Sequence, residues 1–456
     1  MHIMRPSQTR HVAASILFVF VILSLLSWRN RNQIPEYLEE AHDYFHPDEN
    51  QKPPEPASQS STPLPPSDHE TTNYEFLQRP LLSYEQAVEA SSRSCPTKGV
   101  NFDAGSVSNN EQAWREIPTS RIESWRHDIA AYLDSKHAEQ GKEIRSKKTG
   151  GVRGIVMAAG DRAAVVRAQT NIRFLRSYNC TLPVEIFHFP NELSGNEKSK
   201  LSDLSSTDES GHATKVTLRV VESISKGNGW KAFQIKGAAM QQSSFDEILY
   251  LDTDSYLLRN PEFLFEGKHW EETGLLLWPD YTKSHATNPL WRLVGQPCRN
   301  EYEGESGQIL ISRSRHQEML WVVEYFALHH EDFYGFMGGD RDSFRAAALL
   351  LGKSWAGPGR LNAAAGVTLA DKPREGGHTM LQADPDGRWL FVHANLIKHG
   401  RFPRPLWQRI HRAANDRYEQ NTTYGSISVA NQKLGDGVEL FVQQAPKLET
   451  SFRVFE

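Results

Sequence analysis

The sequence predicts an α/β protein with a mostly parallel central sheet and flanking helices, and three observations carry that prediction. Apolar strand-like runs alternate with helical periodicity through the middle of the chain, the pattern of parallel strands joined by crossover helices. One of those strands ends in two carboxylates spaced by two, at the strand end where open parallel sheets bind ligands. The composition is also uneven: a polar, proline-rich N-terminal stretch precedes a body with ample apolar material for a sizeable core.

The 456 residues carry 51 Lys+Arg against 56 Asp+Glu, a formal charge of −5, so the basic excess that binds nucleic acid is missing. Three cysteines exclude a disulfide scaffold and a four-cysteine zinc site, leaving room for one disulfide and one free thiol. Val12 to Trp28 is an uncharged run that would span roughly 25 Å as a helix, at the short end for a bilayer. Arg5 and Arg10 precede it and Arg29 and Arg31 follow, with no small-x-small cleavage pattern at its end. It therefore reads as a transmembrane signal anchor behind a short tail (residues 1–11), with the body lumenal; a cleaved signal peptide is the rival. Residues 29–82, with Pro53, Pro54, Pro56, Pro63, Pro65 and Pro66, read as a disordered stem, and residues 83–456 as one catalytic domain. His42, Asp43 and His46 in that stem read as solvated side chains.

Helical spacing begins at Ser120, where Ser120 and Glu123 fit a capping box and Ile122, Trp125, Ile129 and Leu133 follow at steps of three or four. This helix closes before Gly151 and carries no evident chemistry. Ile155–Ala159, Val184–Phe189, Val216–Val221 and Glu247–Asp252 read as buried strands; Arg162–Ser177 and Trp230–Gln242 read as helices. Asn179 and Asn421 head two Asn-x-Thr sequons, as candidate glycosylation sites of a lumenal body.

The stretch FDEILYLDTDSYLLRNPEFLF, from Phe245 to Phe265, concentrates the chemistry. Strand Ile248–Leu251 runs into Asp252-Thr253-Asp254, which places both carboxylates toward one pocket. Hard oxygen ligands there suit Mn²⁺ or Mg²⁺ held together with substrate phosphates. A sugar nucleotide needs that charge, because its diphosphate leaves as the glycosidic bond breaks.

An ordered series of segments surrounds this motif: GIVMAAGDR at Gly154, LRSYNCTLPVEIF at Leu175, NGWKAFQIKGAAMQQSSFDEILYLDTDS, LLLWPDYTKSHATNPLW, ESGQILISRSRHQEML, GGDRDSFRAAALLLG and LFVHANLIKHG. Over roughly Arg153 to Arg401 the chain resembles the fungal α-mannosyltransferases of glycosyltransferase family 71, which branch cell-wall mannan and N-glycans. The resemblance implies a GT-A (Rossmann-like) fold in a type II Golgi membrane protein. It implies GDP-mannose as donor, a divalent metal, transfer with retention to an acceptor mannose of a glycan, and membership of a Golgi mannosyltransferase complex. Two departures stand out: Asp252-Thr253-Asp254-Ser255 replaces Asp-Ala-Asp-Asn, and Asp340-Arg341-Asp342 replaces the commoner Asp-Lys-Asp. The acidic positions are intact.

With the resemblance, His393 matches the family's C-terminal histidine and becomes the third metal ligand beside Asp252 and Asp254. Lys236 matches a basic residue near the donor, though a solvated helix face would explain it equally; Lys231, five residues away, does not share its face. The turn Gly160-Asp161-Arg162 opens a helix where nucleotide could approach, and Asp161 also suits a helix cap. Glu305, Ser306 and Gln308, placed ahead of strand Ile309–Ser312, are expected to meet sugar hydroxyls if they are more than an ordinary polar loop. Asp340 is expected to cap helix Arg341–Leu351, leaving Asp342 as the acceptor-site carboxylate, while Asp280 faces the donor cleft. Cys180 and Cys298 sit in matching segments and are expected to pair in an oxidising lumen, leaving Cys95 free. Two other functions compete with the mannosyltransferase: a GT-A enzyme using a UDP-sugar, and an inactive scaffold of a mannan-polymerising complex.

Overall fold

The computed structural model describes residues 74–95, 104–143, 152–207, 213–222, 224–226, 233–299, 301–359, 362–366, 377–394, 409–413, 424–428 and 447–448. Residues 12–28, the proline-rich run, Lys231 and Asn421 lie outside these. Among the described residues no helix is long and apolar enough to cross a membrane.

Among the described residues four helices come first: α1 (Glu75–Gln78), α2 (Tyr84–Ser91), α3 (Ala104–Glu116) and α4 (Thr119–Glu143). The last part of the expected stem is thus packed structure, with Tyr74 and Phe76 buried in the main core. The reason is local: Ser83 and Gln86 form a capping box that starts α2, and an aromatic pair precedes it. Helix α4 begins two residues earlier than the Ser120 capping box would set it, because Pro118 supplies the first carbonyl.

The central sheet follows. Strands β1 (Arg153–Ala158), β2 (Val184–His188), β3 (Ser206–Thr207), β4 (Ala213–Thr214), β5 (Val216–Val220), β6 (Glu247–Leu251), β7 (Ser255–Leu257), β8 (Leu275–Lys283) and β9 (Tyr302–Ser312) come in that order. The six-stranded sheet has order β5-β2-β1-β6-β9-β8. Strands β5, β2, β1 and β6 are parallel, and β9 runs antiparallel between β6 and β8. The interleaved helices are α5 (Arg162–Ser177), α6 (Gly195–Ser202), α7 (Ile235–Gln242), α8 (Lys268–Thr273), α9 (Pro289–Val294), α10 (Gln317–Leu328), α11 (His330–Met337) and α12 (Ser343–Leu350). Alternate residues of each strand supply opposite faces. Val156, Ile248, Tyr250, Ile309 and Ile311 pack with Trp125, Ala238, Leu290, Phe326 and Phe344. Ile155, Met157, Leu249, Leu251 and Leu310 pack with Val165, Ala168, Ile172 and Phe391.

This two-faced core overturns the expected cysteine pairing. Cys298 lies in the first cluster and Cys180 in the second, so the sheet separates them. The disulfide joins Cys95 to Cys298, and Cys180 is the buried free thiol.

A second, antiparallel sheet has order β14-β13-β10-β11-β12-β7, with β10 (Ala363–Gly366), β11 (Gly377–Ala383), β12 (Trp389–His393), β13 (Arg409–Ala413) and β14 (Tyr424–Ser428). The Asp386-Gly387 turn, with Gly387 at φ 83°, connects β11 to β12. The chain leaves β6, turns through Asp252–Asp254 and enters this sheet as β7. There Ser255 pairs with His393 and Leu257 with Phe391.

Candidate active site

The crossing between the two sheets brings together Asp254 and His393, 139 positions apart in sequence. His393 is the register partner of Ser255, the residue after Asp254, and Ala394 donates its N–H to the Asp254 carbonyl at 2.8 Å. Asp252, at the end of β6, receives its own anchor: its N–H donates to the Gly307 carbonyl of β9 at 2.8 Å. The turn between is tight, Ser255 N–H donating to the Asp252 carbonyl at 3.0 Å. As a result one carboxylate oxygen from each of Asp252 and Asp254 and one His393 nitrogen lie within 4.8 Å of one another.

Helix α5 clamps this turn from below. Arg167 Nε donates to Thr253 Oγ1 at 3.2 Å, and Asn171 Nδ2 donates to the carbonyls of Thr253 and Ser255 at 3.1 and 3.0 Å. Neither residue was singled out in the sequence. The available signal is two polar residues four apart on the apolar face of an amphipathic helix, which is where a buried polar contact sits.

Lys236 lies on the buried face of α7. Its ammonium donates to Asp252 Oδ2 at 2.9 Å and Ser306 Oγ at 2.9 Å, and pairs with Asp340 Oδ2 at 2.8 Å. Burial alone would push the Lys236 pKa down. Asp252 and Asp340 outweigh it and hold the amine well above its ordinary value. Tyr250 donates its hydroxyl to Asp252 Oδ1 at 3.0 Å, so both Asp252 oxygens are already engaged from behind. Asp340 is therefore a site residue, not the cap expected of it.

Asp342 changes role in the opposite direction. It occupies the N-cap position of α12 without a side-chain capping bond. Its oxygens accept from Gly304 N–H at 2.5 Å and from Arg345 at 2.7 and 2.6 Å, a fully occupied buried ion pair. It holds β9 against α12 through the three hydrogen bonds it accepts from Gly304 and Arg345. Asp280 sits inside strand β8, not at a strand end, and pairs with Arg341 at 2.5 Å. Burial pushes its carboxyl up to about 6 despite that guanidinium. Arg341 also bridges to Glu303, so Asp280, Glu303 and Arg341 form one cluster beside the site.

Glu305, Ser306 and Gln308 are part of β9 and not of a loop before it. Register slips there, since Leu277 pairs with Ile309 but Trp278 pairs with Glu305. The extra residues Ser306, Gly307 and Gln308 form a bulge, the device that re-aims side chains near active sites. Glu305 thereby turns to His393, with Oε1 at 3.3 Å from Nδ1, and Ser306 to Lys236. Gln308 turns inward. Its amide oxygen accepts from Ser255 Oγ at 2.9 Å and its nitrogen donates to Gln382 at 2.7 Å, which braces the turn after Asp254.

Burial alone would push the His393 imidazole pKa down, but Glu305 and Asp254 hold its proton up to about 10. Burial raises Glu305, and the imidazole beside it more than reverses this, to about 2. A divalent ion bound by Asp252, Asp254 and His393 Nε2 would take that proton's place, as metal binding to a histidine requires. The donor set of two carboxylates and one imidazole fits Mn²⁺ or Mg²⁺.

Gly160, Asp161 and Arg162 stand at the same sheet edge. Val156 pairs with Tyr250, so the end of β1 is level with Asp252. Asp161 caps α5 through Ala164 N–H at 2.7 Å. A side chain at position 160 would strike the Glu192 carboxylate, whose oxygen lies 2.0 Å from the position of an added Cβ. Glycine there accommodates Glu192, and Arg162 is exposed. Asn179 is exposed as well, in a left-handed turn at φ 57°, and the Thr181 hydroxyl of its sequon donates to Glu262 at 2.7 Å.

The chain matches the family model Mannosyl_trans3, a mannosyltransferase family, over residues 152–303 and 298–382, together just over half its length. Among curated proteins it is similar to the alpha-1,2-mannosyltransferase MNN21 of Candida albicans, 25% identical over 342 residues that cover 62% of this chain and 51% of that protein. It is also similar to the alpha-1,2-mannosyltransferase MNN5 of Saccharomyces cerevisiae, 24% identical over 290 residues that cover 50% of this chain and 48% of that protein. The chain thus spans about half the length of the curated relatives it matches. Solved structures resemble it loosely. They include the WbbM bifunctional glycosyltransferase (TM-score 0.35, 11% identity, 47% of this chain and 40% of that one) and GlyE of Streptococcus pneumoniae (0.31, 15%, 45% and 45%).

Proposed function

We propose that this chain, which belongs to the Mannosyl_trans3 family of mannosyltransferases, is a metal-dependent GT-A enzyme that moves mannose from GDP-mannose to a mannose hydroxyl of a glycan. The observation that carries the reading is the convergence of Asp252, Asp254 and His393 at the carboxyl edge of the central sheet. Asp252, Asp254 and His393 would hold Mn²⁺ or Mg²⁺, which when bound supplies positive charge for the departing diphosphate.

The protein's own groups do the remaining work. Lys236 and Tyr250 fix Asp252, Gln308 and Asn171 fix the turn, and the Lys236 ammonium keeps Asp252 and Asp340 from repelling each other. Arg162, exposed at the same edge, is placed to meet phosphate. The acceptor hydroxyl oxygen bonds the anomeric carbon on the face from which the diphosphate leaves, which retains configuration; the old C–O bond breaks to the diphosphate, and the hydroxyl proton passes to that leaving group. The ion cluster of Asp280, Glu303 and Arg341 is the group we assign to acceptor hydroxyls.

A Golgi lumen is the proposed location, with residues 12–28 as the anchor. The Cys95–Cys298 disulfide favours an oxidising compartment, and the exposed Asn179 sequon is compatible with one.

Release of nucleotide from GDP-mannose, UDP-galactose and UDP-glucose, each with and without Mn²⁺, tests the reading. Turnover of GDP-mannose that requires Mn²⁺ is expected. Turnover of a UDP-sugar alone would replace the mannose assignment, and no turnover of any donor would favour the scaffold.

A further inference from the structure

We infer that Glu305 is a positioning residue for His393: it holds the imidazole in the tautomer whose Nε2 is open to a divalent cation. The inference rests on the metal reading above and assigns Glu305 a task other than contact with sugar. Three observations carry it. Glu305 Oε1 stands 3.3 Å from His393 Nδ1, while Nε2 faces Asp254 Oδ1 at 3.7 Å, so the two ring nitrogens address different partners. The same Glu305 oxygen accepts the Gly307 N–H at 2.8 Å, which pins the carboxylate to the β9 bulge. The ring lies directly over Gly307, where an added Cβ would stand 2.6 Å from Cε1 and 2.7 Å from Nδ1.

The 3.3 Å approach lacks hydrogen-bond geometry, and Nδ1 has no hydrogen-bond partner among the described residues; the Glu305 charge, which can only accept, favours a proton on Nδ1 and leaves the Nε2 lone pair for metal. Both Glu305 and His393 are buried, so no water competes for that choice. The bulge thus has a task that alternation along a strand could not perform. Its slip points Glu305 to the ring, and its glycine gives the ring space. Partners of this kind behind a metal-bound histidine typically contribute roughly 10–100-fold in affinity.

The test uses the full chain and Mn²⁺ alone, with free ion counted by electron paramagnetic resonance. Glu305→Gln keeps the shape but can offer an N–H to Nδ1, favouring the wrong tautomer. Its Mn²⁺ Kd, measured per folded molecule, is expected to rise about 10–100-fold, with a lower metal-free melting temperature because the buried imidazole loses its charged neighbour. Gly307→Ala, which displaces the ring by sterics alone, is expected to weaken Mn²⁺ similarly. Glu305→Gln that folds and binds Mn²⁺ as tightly as wild type would overturn the inference and leave the metal site standing. A wild type whose Mn²⁺ affinity is unchanged by His393→Ala would overturn both.

Discussion

Among the described residues, two of the regions that bury charge do it in opposite ways. At the sheet edge, Lys236 and His393 are each wedged between carboxylates: Asp252 and Asp340 for the lysine, Glu305 and Asp254 for the imidazole. Around the N-terminal segment, arginines are buried against backbone carbonyls. Arg126 is hydrogen-bonded to the carbonyls of Phe76, Arg79, Pro80, Arg292 and Leu293, with no carboxylate among them. Arg79 reaches the carbonyls of Val294 and Leu349, and Arg292 those of Leu82 and Ile117. The second arrangement satisfies the last carbonyls of helix α9 with a charge of the right sign, and it ties residues 74–95 to the body. It is complete as it stands. The first leaves opposed formal charges gathered around a gap that suits a divalent cation. Buried charge that is fully answered by dipoles reads as structure; buried charge answered by more carboxylates than cations reads as a site.

Substitutions can break this contrast. Lys236→Met should have the largest effect on the fold, since it leaves the buried Asp340 beside the half-buried Asp252 with no cation between them. Loss of one partner of a buried ion cluster costs about 3–5 kcal/mol, read as a fall in denaturation midpoint, and nucleotide release should fall with it. Cys95→Ser combined with Cys298→Ser should cost about 3 kcal/mol in the same measurement, while turnover per folded molecule stays at the wild-type level. Arg126→Met should cost about 2 kcal/mol by abandoning buried carbonyls, again with turnover per folded molecule unchanged. If that variant loses turnover while remaining folded, the separation of the two regions fails. Arg162→Ala should change stability by less than about 0.5 kcal/mol, yet raise the donor KM roughly tenfold, the value of a charged hydrogen bond of about 1.5 kcal/mol.

Much of the fold was legible because it is written locally. The helix expected over Arg162–Ser177 is α5 without change, and the four parallel strands fall within a residue or two of their expected positions. Asp252 and Asp254 were legible for the same reason, since a strand end marks them. His393 needed the family resemblance: nothing local indicates that β12 would pair with β7 and bring it to Asp254. The inverted roles of Asp340 and Asp342 were not legible, because they depend on where α12 starts and on Lys236 and Arg345 arriving from elsewhere. Glu305 and Gln308 were found, but the bulge that turns them toward His393 and Gln382 was not, since a bulge shows no periodicity to read. The cysteine pairing went wrong because two matching segments were assumed to be neighbours, and the sheet stands between them.

The central claim is that the edge formed by Asp252, Asp254 and His393 works through a divalent ion. The most direct measurement is mannose transfer from GDP-mannose by wild type and Asp254→Asn, each stripped with chelator and then titrated with Mn²⁺. The account predicts wild-type transfer that vanishes on chelation and returns with Mn²⁺, and an Asp254→Asn variant that folds but stays inactive at every Mn²⁺ concentration tested. Transfer at the wild-type rate by folded Asp254→Asn, or by chelated wild type, would contradict it.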